Sequence, residues 1–124
     1  MSIDLSSQRQ YIQRAVNVKH SFSATTQQTL YTAPNGGSDF NFSVIMGIFA
    51  CDTGNQQTNL DISIVDTSAN EFFLFKQHNI SAHGTEELII NSGLILQDGE
   101  IIKAQVNHTN IDLFINIVEY AKGD

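Results

Sequence analysis

The chain has 124 residues, enough for one domain with its own core, while a second domain would be too small to bury much apolar surface. Its 13 acidic and 6 basic residues give a formal charge of −7, which excludes a general nucleic-acid binder, because phosphate backbones require concentrated positive charge. Cys51 is the only cysteine, so an intrachain disulfide and a four-cysteine metal centre are both excluded.

Taken in chain order, residues 1–10 are polar and aperiodic, and they read as a flexible N-terminal arm ahead of a single β-sandwich domain over residues 11–124. They have neither the basic start nor the apolar run of a signal peptide, and no later stretch approaches the ~20 apolar residues of a membrane span. Synthesis in a cytoplasm and no membrane partner are therefore expected.

Tyr11 to Phe22 is strand-like, with Ile12, Val16, Val18 and Phe22 separated by polar residues. A second strand, Thr29 to Ala33, is stopped by Pro34, which cannot donate to a ladder, and by the turn residues Asn35, Gly36 and Gly37. From Asp39 onward Phe40, Phe42, Val44, Met46, Ile48 and Ala50 share one parity, and a period of two assigns them to a core. Ile45, Phe49 and Cys51 fall on the other face.

Asp52 to Asn55 then turns the chain into a strand built on Leu60, Ile62 and Ile64. The aromatic run Glu71 to Lys76 follows, reading as buried in part on both faces, and the three strands together read as a meander. Short strands are expected at Glu86 to Ile90 and Leu94 to Leu96, separated by Ser92 and Gly93. In the strand from Glu100, Ile102, Ala104 and Val106 point inward, as do Ile111, Leu113, Ile115 and Ile117 in the last. About eight short strands without a sustained helical period define an all-β chain: an antiparallel β-sandwich, jelly-roll-like.

The outward parity of the last strand holds Phe114, Val118 and Tyr120 beside Asp112 and Asn116. Two readings stand. Either the N-terminal strand or a loop covers these residues, or Ile45, Phe49, Phe114, Val118 and Tyr120 form a subunit interface, since interfaces are enriched in aromatic and aliphatic anchors.

The segments LYTAPNGGSDFNFSVIMGIFACDTG and KQHNISAHGTEELIINSGLILQDGEIIKAQ add a different kind of signal. Tyr31-Thr32-Ala33-Pro34, the Asp52-Thr53-Gly54 turn, Ile80 through Thr85, and Leu96 through Ile101 together resemble small β-sandwich virion proteins of tailed bacteriophages. The resemblance spans roughly Leu30 to Tyr120 and contains no catalytic motif. It implies a non-enzymatic accessory subunit of a virion, made in the bacterial host cytoplasm and placed as capsid decoration or at a neck or tail. Its implied partners are other virion proteins, such as major capsid or neck and tail proteins, or copies of itself. His83 stands where glycine is frequent in the similar proteins, so a different loop conformation is expected there.

Chemical sites are weakly marked. His20, His78, His83 and His108 include only one close pair, His78 and His83, with no HExxH helix or cysteine partner, so no metal site or cofactor is expected. Asp39, Asp52, Asp61, Asp66, Asp98 and Asp112 form no EF-hand loop, and Glu86 and Glu87 point to opposite strand faces. No nucleophile stands beside a base and its orienter, so no catalytic residue is expected. The alternative outside assembly is a carbohydrate- or receptor-binding module using Tyr31, Tyr120, Asn107, His108 and Asn110.

Overall fold

Ile111, Leu113, Ile115 and Ile117 alternate with polar or aromatic neighbours through the C-terminal strand, and all four are buried, at most 2% exposed. The computed structural model describes residues 11–35 and 40–122, and the N-terminal arm lies outside them. Among the described residues eight strands are formed: β1 (Tyr11–Ser21), β2 (Gln28–Thr32), β3 (Phe42–Asp52), β4 (Thr58–Val65), β5 (Glu71–Ile80), β6 (Thr85–Leu96), β7 (Ile101–Val106) and β8 (Ile111–Lys122).

The strands make two four-stranded antiparallel sheets, ordered β1-β8-β3-β6 and β2-β7-β4-β5. Their pairing is nested, β1 with β8, β2 with β7, β3 with β6 and β4 with β5, as in one long hairpin. Rolling that hairpin up adds the β3–β8 and β4–β7 pairs. This is the strand order of a jelly-roll sandwich. Only the β4–β5 connection stays within a sheet, so the meander expected for β3, β4 and β5 is corrected: β3 lies in the opposite layer.

Between the layers sit Ile45, Ile48, Ala50, Leu60, Ile62, Ile80, Leu96, Ile102, Ala104, Val106 and the β8 isoleucines. Each fully buried isoleucine contributes about 1.5–3 kcal/mol relative to exposure. This core is aliphatic rather than aromatic. Phe22 is the one buried phenylalanine among the described residues, whereas Phe72 and Phe73 are 59% and 44% exposed on the edge strand β5. The partial burial expected of this run thus holds for Leu74 and Phe75, which pack against the core, and is corrected for Phe72 and Phe73.

A bulge corrects the parity expected for β3. Ile45 pairs with Ile117 and Gly47 with Asn116, so Met46 is an extra residue and the alternation slips by one. Ser43 and Ile45 before the bulge, and Ile48 and Ala50 after it, all face inward. Phe42, Val44 and Met46 therefore lie on the outer face, and Ile45 lies in the core.

The expected break at Ser92 and Gly93 is also corrected, because β6 runs unbroken for 12 residues. β5 extends to Ile80 through its own bulge, where Lys76 and Gln77 stand opposite the single residue Asp61. Gln77 takes φ +52° there, and its N–H donates to Asp61 Oδ1 at 2.6 Å while Lys76 Nζ donates to Oδ2 at 3.3 Å.

Candidate protein interface

The outer face of the β1-β8-β3-β6 sheet is built in rows that follow from the pairing. One row runs Ala15, Val118, Val44, Ile95 across the four strands. A second runs Lys19, Phe114, Phe49, Glu87 in the same order. Between them lies Asn17, Asn116, Gly47, Ile90, with Asn17 Nδ2 donating to Asn116 Oδ1 at 3.1 Å. Towards the C-terminal end of β8, Tyr120 pairs with Phe42, and their rings stack at 5.1 Å.

The face is thus an apolar band with charge at its margins. Phe49 and Phe114 have ring centroids 6.5 Å apart, and Lys19 Nζ lies 5.9 Å from the Phe114 ring. Beside these rings is a concavity of about 310 Å³ whose lining includes Lys19, Phe49, Cys51, Asp112 and Phe114. Met46, Ile90 and Ile95 are 39%, 58% and 52% exposed. Large apolar side chains gathered on one sheet face mark an interaction surface more often than a solvated one.

Of the five sequence-derived interface residues, Phe49, Phe114, Val118 and Tyr120 lie together on this face. Ile45 is corrected out of the set, since it is fully buried between the sheets. Val44, Met46, Ile90 and Ile95 are the members that sequence reasoning missed. Ile90 and Ile95 belong to an apolar run, and their shared outward face follows only from the continuity of β6.

A second concentration of chemistry lies at one end of the sandwich. Glu119 follows the inward parity of β8 and is 5% exposed, and a lone buried carboxylate would be strongly unfavourable. Arg14 Nε donates to its Oε1 at 2.7 Å and the Tyr31 hydroxyl donates to its Oε2 at 2.5 Å, joining β1, β2 and β8. The guanidinium also sits 4.0 Å from the centre of the Phe40 ring. Burial first, and then the bond to Glu119, hold the Tyr31 phenol well above its ordinary pKa. Both carboxylate oxygens are thus occupied from within the chain.

The remaining candidates are dispersed. His78 Nε2 lies 2.5 Å from Glu86 Oε2, whereas His83 Nε2 bonds Asn55 Oδ1 at 2.8 Å, so the two histidines have separate partners. His83 has φ +58°, the left-handed conformation that glycine favours. Among the described residues, no three His, Cys, Asp or Glu side chains converge as a metal site. Cys51 is half-buried on the outer face.

The carbohydrate set is also divided. Asn107, His108 and Asn110 precede β8, while Tyr120 lies near its far end, nine residues from Ile111 and so roughly 30 Å away. Tyr31 lies with Glu119 at that far end, and Asn107 Oδ1 is occupied by the Asn59 N–H at 2.8 Å.

No protein-family model matches the chain, and no curated protein matches it by sequence. In fold, the chain is similar to solved structures of infectious bursal disease virus. For the viral particle the TM-score is 0.48 at 10% identity, covering 90% of this chain and 36% of that one. For the Gx strain the TM-score is 0.49 at 10% identity, covering 90% and 37%. For the VP2 subviral particle it is 0.46 at 9% identity, covering 92% and 38%. The chain thus spans little more than a third of the length of the chains it matches. The jelly-roll assignment rests on strand order and register, independently of these likenesses.

Proposed function

We propose that the chain is a non-enzymatic structural subunit of a virus particle, an accessory component of a bacteriophage capsid, neck or tail that binds neighbouring virion proteins through the outer face of the β1-β8-β3-β6 sheet. One observation carries the reading: that face gathers Phe49, Phe114, Val118 and Tyr120 with Val44 and the exposed Met46, Ile90 and Ile95. Supporting it are the resemblance of the Leu30 to Tyr120 region to phage virion sandwiches and a jelly-roll order that also builds viral capsids. The same order builds lectins, but the proposed glycan residues are split between the two ends of the molecule, which favours assembly.

The test uses particles lacking this subunit, incubated with the full chain and sedimented. The wild-type chain is expected to travel with the particles. Phe114→Asp, which would place an unpaired carboxylate in the contact, is expected to stay in the supernatant while keeping the wild-type circular dichroism spectrum. Equal co-sedimentation of a folded variant would overturn the proposal.

A further inference from the structure

The rows of the outer face are self-complementary, and we infer that its occupant is a second copy of this chain, packed face to face about a two-fold axis running parallel to the strands between β8 and β3. This rests on the assembly reading above and names the partner that covers the face in solution; on the particle a neighbouring virion protein takes that copy's place. A two-fold axis in the interface plane and along the strands keeps each row opposite itself but reverses its order. The charged row then places Lys19 of one copy against Glu87 of the other, at both ends, with Phe114 against Phe49 between them.

The apolar row gives the same match in size. Val118 meets Val44, and the small Ala15 meets Ile95, which is 52% exposed in the single chain. In the middle row the exposed Ile90 faces Asn17, and Gly47, without a side chain, faces Asn116. An in-plane axis perpendicular to the strands would lose this agreement, because it keeps each strand over itself and sets Lys19 above other β1 residues. Charge thus selects one of the two simple arrangements.

A central stretch of about eight residues on four strands about 4.8 Å apart gives roughly 500 Å² of flat sheet per copy. The two copies together cover roughly 1,000 Å², the lower bound for a specific interface. Within one chain Lys19 and Glu87 are separated by two intervening strands and make no pair with each other, so inside the monomer the exchange removes the contact of Lys19 with the Phe114 ring and no ion pair between the two.

The experiment is sedimentation equilibrium of the full chain and of Lys19→Glu, Glu87→Lys and the double exchange, each checked for a wild-type circular dichroism spectrum. The wild-type chain is expected to form a dimer. Each single exchange should weaken it by about tenfold or more, and the double exchange should restore it to within about threefold. A monomeric wild-type chain, or a double exchange no tighter than either single one, would overturn the pairing. If that monomeric chain still travels with particles and Phe114→Asp does not, self-pairing falls while the assembly reading stands; if neither travels, both fall.

Discussion

Glu119 is the residue on which chemistry and fold meet most directly. Its place in the alternation of β8 carries a carboxylate into the sandwich, where Arg14 and Tyr31 each occupy one oxygen. Tyr31→Phe would leave a buried carboxylate oxygen without its donor, and the expected cost is about 1–3 kcal/mol, read from urea unfolding at neutral pH. A pH dependence follows as well. With the folded pKa raised, the unfolded chain releases the phenolic proton first, so this contribution is full below about pH 10 and is lost as pH rises beyond it. The wild-type chain should lose stability more steeply than Tyr31→Phe in that alkaline range. Matching alkaline slopes would contradict this account of Tyr31.

At the scale of the element, two bulges decide which side chains meet which surroundings. In β5 the extra residue puts Gln77 at φ +52°, and Asp61 holds it with one oxygen on the Gln77 N–H and the other on Lys76. Asp61→Ala removes both bonds and leaves the left-handed residue unsupported. A loss of about 1–2 kcal/mol is expected, and unfolding of Asp61→Ala at the wild-type urea midpoint would exclude that role.

In β3 the bulge at Met46 explains why the expected parity was only half correct. Ile48 and Ala50 fell inward as the alternation required, whereas Phe42, Val44 and Met46 lie across the slip, outside the core. The run from Phe42 to Cys51 is apolar on both faces, so neither side is marked by its composition as the one to bury. Strands with one polar face carried no such ambiguity: the inward sets of β7 and β8 follow directly from their alternation with Lys103, Gln105, Asp112 and Asn116. The continuity of β6 was hidden for a related reason: its pairing with β3 passes from Ile90 to Leu94, so Ser92-Gly93 marks an irregularity inside one strand rather than a turn between two.

Across the whole molecule, the all-β class and its sandwich architecture were legible because turn residues punctuate short alternating runs. Strand order was not, because the nested hairpin joins β1 to β8 and β2 to β7, residues at opposite ends of the chain with no local signal. The apolar outer face proposed as an interface was legible in β8, where Phe114, Val118 and Tyr120 stand out among polar neighbours. It was obscured in β3 and β6, where a bulge and a misplaced break concealed Val44, Met46, Ile90 and Ile95.

What the fold adds is coplanarity. Residues scattered from Ala15 to Tyr120 share one sheet face, ordered in rows, one of which ends in the opposite charges of Lys19 and Glu87. A cryo-electron microscopy map of the intact source particle tests this most directly. Ordered density for the subunit is expected, with the Phe49 and Phe114 face buried against protein; a particle without this subunit, or one that carries it with that face open to solvent, would overturn the assembly reading.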